Sequence, residues 1–278
     1  KESTLYTSSE SFIKVDGVGT VPVVLGHGFG SDKGVWDTLL SCLPQGFRYI
    51  RYDLAGFGSA ADTCIRYDPG RYDSLFAYVD DLIQLLQTLP DCRGQQVIYI
   101  GHSVSSMIGA IAAIAQPELF QQLILISASP YYLREPNYPG GLTQSDLDEL
   151  FNAMATNYQA WAAGFAPELF GMEDLALLAD FSRPLFHLPP DIALRTLRMI
   201  FESDWRSLVD KIRTPVHLIQ ARDDFVVPQE VGLWLHEHIP GSTLDWIDAR
   251  GHLPHLTHAA DVCLLVRRFL TQAQQSKK

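Results

Sequence analysis

Six short apolar segments recur along the chain, and each runs into turn residues. Most of them are continuously apolar and do not alternate with polar residues, which is typical of strands buried on both faces of a sheet. Segments with helical periodicity separate them. The sequence therefore predicts an α/β fold, a mostly parallel sheet with helices on both faces. The six segments are residues 21–25, 47–52, 96–100, 123–126, 216–219 and 243–247.

The strand pattern disappears between residues 131 and 205. Apolar residues at helical spacing predict four helices here, with breaks at prolines. Polar and glycine-containing turns follow the carboxyl ends of the strands, the edge that carries the active site in open α/β sheets. We therefore expect a single domain, with a core of residues 1–134 and 206–278 and a helical cap at about 135–205. The helices are predicted at 143–155, 157–165, 174–181 and 191–201, with breaks at Pro167, Pro184 and Pro189–Pro190.

Composition narrows the range of partners. The net charge of −11, with scattered Lys and Arg, disfavours nucleic acid and anionic membrane surfaces as partners. No apolar run is long enough to span a bilayer. The absence of dinucleotide-binding, phosphate-loop and calcium-loop motifs predicts no cofactor, and no residue set predicts a metal site. Four widely spaced cysteines indicate a reducing compartment rather than a disulfide framework, and so an intracellular protein: Cys42, Cys64, Cys92 and Cys263.

A nucleophile elbow is predicted where the third strand segment ends. Residues 101–105 read Gly-His-Ser-Val-Ser and precede a helix rich in small residues. A sharp turn from strand to helix exposes the hydroxyl of its central serine, here Ser103. The fifth position of the general motif is glycine, whereas this chain carries Ser105. Ser103 is the candidate nucleophile.

A serine nucleophile needs a base, and the base needs an orienting acid. The order in α/β-hydrolases is serine, acid, histidine, and His252 follows the last strand segment. Asp224 precedes Pro228 by four residues, which is the common position of the acid in this fold. Asp223 remains open as the alternative acid.

Acyl transfer also requires hydrogen-bond donors for the developing oxyanion. The backbone N–H of Val104, next after the nucleophile, is one candidate. The other is the N–H of Phe29, in the segment His-Gly-Phe-Gly at 27–30 that follows the first strand segment.

Several further segments resemble the plant strigolactone and karrikin receptor family and the related bacterial stress regulator RsbQ. The serine at the fifth elbow position fits that family, and the matches extend through the cap. They are GHSVSSMIG at 101–109, HGFGSD at 27–32, YDL at 52–54, ISASPYYL at 126–133, NYQAW at 157–161, GFAP at 164–167, PDIAL at 190–194 and GHLPHL at 251–256.

The resemblance implies a four-helix cap over an apolar pocket and a butenolide ligand that is cleaved slowly, as part of plant hormone perception. It also implies recruitment of an F-box subunit of a ubiquitin ligase and of a Clp-ATPase-like repressor. A monomer in the cytoplasm and nucleus is expected. Carried over by position, the ligand contacts are Phe29, Val104, Leu142, Leu150, Trp161, Phe165, Phe181, Phe201, Phe225 and Val226.

Two of these positions depart from the karrikin-receptor pattern. The resemblance implies Phe in the karrikin receptors at the position where this chain carries Leu142. It implies a smaller aliphatic residue where this chain carries Phe225. The first change would widen the pocket and the second would narrow it, so the choice between strigolactone and karrikin-like ligands stays open. Two other functions also remain: an ordinary carboxylesterase of small apolar esters, and a binding receptor with a vestigial triad.

Overall fold

The computed structural model describes residues 6–7, 10–58 and 66–276. Within them, seven strands form one sheet in the order β1-β3-β2-β4-β5-β8-β9, and a small hairpin, β6-β7, stands apart. Only β1 runs antiparallel in the large sheet. The strands are β1 Ile13–Asp16, β2 Val21–Gly26, β3 Phe47–Tyr52, β4 Val97–His102, β5 Phe120–Ile126, β6 Arg134–Glu135, β7 Tyr138–Pro139, β8 Val216–Asp223 and β9 Thr243–Arg250.

Helices occupy the connections between the strands. Three short 3-10 helices in the described part of the chain supplement them, at Lys33–Trp36, Pro117–Leu119 and Val209–Lys211. The α-helices of the described residues are α1 Asp37–Leu40, α2 Leu75–Thr88, α3 Val104–Ala115, α4 Gln144–Thr156, α5 Tyr158–Phe170, α6 Leu175–His187, α7 Pro190–Glu202, α8 Gln229–His238, α9 Pro254–Thr257 and α10 Ala259–Gln275.

Two separate apolar cores explain why the strand segments do not alternate. Val24 on β2 packs in one core, together with α2 and α3. Its neighbours Val23 and Leu25 point to the opposite face and pack in a second core, with α1 and α10. Because successive side chains of a strand point to opposite faces, a sheet covered on both faces needs apolar residues at every position. The predicted α/β architecture is therefore confirmed.

Four helices, α4 to α7, lie between β7 and β8 and are called the cap below. Two predicted helix breaks are wrong, because Pro167 lies inside α5 and Pro184 inside α6. A proline removes one helical hydrogen bond, but Phe170 and Leu185, which follow these prolines, are fully buried. Their packing overrides the local penalty, and α5 ends only at Gly171, a glycine with positive φ.

One expectation about the cysteines is also wrong. Cys42, after α1, and Cys263, in α10, form a disulfide across 221 residues of sequence. The sequence separation conceals this pairing, which exists because α10 packs back against the first helix. Cys92 is free and buried, and Cys64 lies outside the described residues.

Candidate active site

The turn between β4 and α3 holds Ser103 in an unusual backbone conformation. Its φ of 56° and ψ of −118° lie in a region that residues with a side chain rarely occupy. Such strain costs of order 1–3 kcal/mol and is commonly found at functional sites. The surrounding sheet maintains it, because the Ser103 N–H donates to the Ile126 carbonyl at 2.9 Å. This turn aims the hydroxyl away from the strand and toward His252.

A continuous chain of hydrogen bonds joins Ser103 to His252 and Asp224. His252 Nε2 lies 2.8 Å from Ser103 Oγ, and its Nδ1 lies 2.6 Å from Asp224 Oδ2. All three residues are buried. The structure thus brings together the nucleophile, base and acid that the sequence predicts, with the contacts that proton transfer from a serine requires.

The two adjacent aspartates have different environments. Asp224 is buried, and its other oxygen, Oδ1, accepts the N–H groups of Val226 and Val227 at 3.0 and 3.2 Å. Asp223 is exposed, and its carboxylate lies 4.0 Å from Arg250 Nε. Only Asp224 contacts the imidazole of His252. The geometry therefore favours Asp224 over the alternative that the sequence left open.

Two further histidines lie beneath His252. The Nε2–H of His102 donates to the His252 carbonyl at 2.8 Å, and the rings of His102 and His255 are 4.1 Å apart. Burial lowers the pKa of His102 well below its ordinary value and that of His255 to about 3. Both are therefore neutral at physiological pH. His102 directly supports the backbone of His252.

The loop after β2 lies beside the elbow because β2 and β4 are neighbouring parallel strands. Gly26 pairs with Gly101 at their carboxyl ends. Gly28 packs so tightly there that an added Cβ would lie 2.6 Å from His102 Nδ1 and 3.4 Å from Ser103 Cβ. This loop carries Phe29. The other predicted donor, the Val104 N–H, lies in the first turn of α3, where N–H groups have no partner within the helix.

An apolar cavity of about 30 Å³ opens at Ser103 and His252. The cap supplies about half of its wall. Of the ten predicted ligand contacts, five line it: Phe29, Phe165, Phe181, Phe201 and Val226.

The other five predicted contacts lie outside this wall. Val104 and Leu142 are buried in the apolar core, and Leu150 packs against it. Trp161 stacks on Phe165 with ring centroids 4.8 Å apart. Phe225 is 38% exposed, and its ring centroid lies 6.1 Å from that of Phe165. Trp161 and Phe225 thus buttress a lining residue instead of facing the cavity.

Sequence analysis missed several lining residues, of which Tyr132 is the most informative. Its ring packs on Phe201 at 5.0 Å, and its hydroxyl interacts with Ser103. Burial raises the pKa of Tyr132 to about 12, so the phenol stays protonated and remains a donor. Its place just after β5, at the same sheet edge as Ser103, was the available signal. The other missed residues with apolar side chains are Leu169, Leu197, Ile200 and Leu253.

The described residues contain neither a candidate metal site nor a candidate membrane helix. Among the described residues, no cluster of three or more His, Cys, Asp or Glu side chains could hold a metal ion. In the same part of the chain, no helix combines the length and apolar character needed to cross a membrane.

Comparison with known proteins gives a consistent result. A model of the alpha/beta hydrolase family matches residues 23–263. Karrikin insensitive 2 receptor CA of Petunia hybrida is 42% identical over 88% of this chain and 90% of its own length. Strigolactone esterase D14 of Arabidopsis thaliana is 40% identical over 93% of this chain and 95% of its own. The chain belongs to this receptor and esterase family of α/β-hydrolases.

A solved structure extends the likeness to three dimensions. The hydrolase olei00960 from Oleispira antarctica is 32% identical and superposes with a TM-score of 0.89, covering 97% of this chain and 99% of its own. The predicted fold, hydrolase class and family resemblance are therefore confirmed.

Proposed function

We propose that this member of the family is a serine hydrolase that acts as a receptor for butenolide ligands, and that its Ser103–His252–Asp224 triad cleaves them slowly. The observation that carries the proposal is the chain of two buried hydrogen bonds, 2.8 and 2.6 Å long, that ends at the floor of an apolar cavity under the cap. The karrikin receptors and strigolactone esterases among its relatives supply the ligand class.

His252 acts as the general base in this mechanism. Its Nε2 accepts the proton of Ser103 while Oγ attacks the carbonyl carbon of a lactone or an enol-ether-linked ring. Asp224 holds the other ring nitrogen protonated, so the lone pair faces the serine, and it stabilises the imidazolium that forms. His252 then returns the proton to the leaving oxygen, and Ser103 keeps the acyl group until water removes it.

Two backbone donors stabilise the charge that develops on the carbonyl oxygen. The N–H of Val104 at the start of α3 and the N–H of Phe29 in the loop after β2 flank the elbow. Donors fixed by the backbone need no reorganisation as the oxyanion forms, which makes this type of stabilisation large.

The size of the cavity fits slow turnover. Pockets for small molecules commonly measure about 300–1,000 Å³, whereas this one measures about 30 Å³. A butenolide therefore requires displacement of the aromatic side chains that the cap contributes, Phe165, Phe181 and Phe201. Because these side chains must move before a ligand can enter, we expect turnover to be slow. Leu142 and Phe225 lie outside this wall, and Phe225 contacts it through the ring of Phe165.

The same proposal includes the signalling step. A monomer in the cytoplasm and nucleus would present its cap to an F-box subunit of a ubiquitin ligase and to a Clp-ATPase-like repressor. Support comes from the relatives named as receptors and from the cap's position over the cavity. Pull-down of the two partners with and without butenolide tests this part.

The decisive experiment follows release of a fluorophore from a strigolactone-like butenolide, with intact-mass spectrometry of the protein. Wild type is compared with Ser103→Ala and with Ser106→Ala, a matched control whose buried hydroxyl bonds the Gly101 carbonyl at 3.2 Å. We expect slow release and a mass adduct for wild type and Ser106→Ala, and neither for Ser103→Ala. Equal release by wild type and Ser103→Ala would refute the catalytic role of Ser103.

The same experiment separates the two other functions. Rapid multiple turnover without an adduct, on simple esters as well as on the butenolide, would indicate an ordinary carboxylesterase. Ligand-dependent partner binding that survives in Ser103→Ala would indicate a binding receptor with a vestigial triad.

A further inference from the structure

The serine that breaks the general elbow motif has a specific contact. Ser105 is fully buried, and its Oγ–H donates to the backbone carbonyl of His27 at 2.6 Å. Tyr99 fixes this residue from the other side, because its hydroxyl donates to the Ser105 carbonyl at 2.9 Å. A glycine at position 105 would lack the hydroxyl. The elbow helix is thus tied to the first residue of the loop that carries Phe29.

The ring of His27 continues the connection. Its Nε2 accepts the N–H of Leu54 at 3.0 Å, and its Nδ1 lies 2.8 Å from the Gly28 carbonyl oxygen. A nitrogen that accepts an N–H carries no proton, so in the neutral ring the proton is on Nδ1 and is donated to Gly28. Burial lowers the pKa of His27, which keeps the ring neutral. Two backbone partners therefore fix both its tautomer and its orientation.

The Gly28 carbonyl determines where the Phe29 N–H points. This oxygen also accepts the N–H of Ser31 at 3.3 Å. In a planar trans peptide the C=O and the following N–H point in opposite directions. Two donors on the oxygen side therefore hold the Phe29 N–H on the other side. The same peptide lies against Ser103, as the close packing of Gly28 shows.

We infer that Ser105 and His27 are positioning residues for the oxyanion hole, which orient the Phe29 N–H through the Gly28–Phe29 peptide. The inference rests on the proposed function, since it concerns the same acyl-transfer step. It assigns a role to the serine at the fifth elbow position, which sequence analysis recognised only as a departure from the general motif.

A positioning role differs measurably from a merely structural one. An oxyanion donor acts on the transition state more than on the bound substrate, so its misalignment lowers kcat and leaves KM unchanged. Removal of such a donor typically costs about 10²–10³-fold in kcat. Ser105→Ala loosens the Phe29 N–H donor without removing it, so we expect about a 10-fold decrease in kcat.

The test measures kcat and KM for p-nitrophenyl acetate and the inhibition constant of phenylboronic acid, whose tetrahedral serine adduct places an oxygen in the hole. Ser105→Ala should lower kcat about 10-fold and weaken inhibition by a similar factor, with KM within about 2-fold of wild type. Ser106→Ala, which removes the neighbouring buried hydroxyl, should change neither kcat nor boronate inhibition. His27→Asn retains a donor near the Nδ1 position and should exceed His27→Ala in kcat.

Each outcome bears on the inference. Unchanged kcat and boronate inhibition in Ser105→Ala would overturn it, as would an equal loss in Ser106→Ala. If either His27 variant fails to fold, as a melting curve would show, the comparison of the two serine variants still decides. Equal turnover by wild type and Ser103→Ala would remove the proposed function, and the inference with it.

Discussion

Substitution of Asp224 by asparagine changes which ring nitrogen of His252 carries the proton. The Oδ1 atom of Asp224 accepts two backbone N–H groups, from Val226 and Val227. An asparagine must keep its oxygen at that position, because an NH₂ group there would face two donors. Its NH₂ group then faces Nδ1 of His252. A donor at this position requires Nδ1 to accept, so the proton moves to Nε2 and the base loses the lone pair that faces Ser103.

The structure indicates a large effect. The Asp224 side chain is only 1% exposed and that of His252 7%, so water can neither replace the lost carboxylate nor screen its loss. The same substitution in other triads lowers kcat about 10⁴-fold while the geometry stays intact, which corresponds to about 5 kcal/mol of transition-state stabilisation. We expect Asp224→Asn to lose about 10³–10⁴-fold in kcat.

The assay measures kcat for hydrolysis of the fluorogenic butenolide, with adduct formation followed by intact mass. The neighbouring acid supplies the matched control. Asp223 is 75% exposed at its side chain and does not contact His252, so Asp223→Asn should stay within about 2-fold of wild type, as for a screened surface charge. The melting temperatures of both variants establish that they are folded.

Two results would refute this reasoning. Retention of more than about a tenth of the wild-type kcat in Asp224→Asn would show that the carboxylate does not set the tautomer. A larger loss in Asp223→Asn than in Asp224→Asn would assign the acid to the other residue.

Three further predictions concern the surroundings of the triad. The pKa of buried His255 is about 3, below the ordinary 6.5, so the unfolded chain takes up the proton first and stability falls as pH decreases from 7. Denaturant titration should show that this residue lowers the free energy of unfolding by about 2 kcal/mol between pH 7 and pH 5. His255→Phe should remove that part of the decrease. Phe201→Leu should lower the free energy of unfolding by about 1 kcal/mol. It should also lower KM for a bulky butenolide relative to KM for p-nitrophenyl acetate. An unchanged ratio of the two KM values would contradict the assignment of Phe201 to the wall. His102→Leu should lower kcat about 10-fold, because the carbonyl of His252 loses its donor, whereas His102→Gln, which retains a donor, should recover most of it; equal losses in both would disprove a positioning role.

The sheet and the reacting residues were predictable because each leaves a local signal. A strand covered on both faces requires consecutive apolar residues, as Val23 and Val24 illustrate with their separate cores. A nucleophile at a strained turn must follow such a strand directly, as Ser103 does. The acid and base come at the ends of later strands in a fixed order. Each of these side chains therefore follows a recognisable strand segment within a few residues, and the order along the chain assigns its role.

The cavity wall was only half predictable, since it depends on packing between distant segments. Trp161 and Phe225 are aromatic, as residues that line apolar pockets often are. Their rings pack against Phe165, and it is Phe165 that lines the wall. Tyr132 was missed because only the proximity of β4 and β5 brings it next to the elbow. The disulfide between Cys42 and Cys263 depends in the same way on long-range packing.

Ser105 shows how local and long-range information combine at one residue. Its presence at the fifth elbow position is visible in the sequence as a departure from glycine. Its consequence is not visible there, because the partner carbonyl belongs to His27, 78 residues earlier. The parallel pairing of β2 and β4 brings the two together at the carboxyl edge of the sheet. A departure from a motif at a buried position is therefore best interpreted by the group that the changed side chain contacts, here the loop that carries the Phe29 N–H.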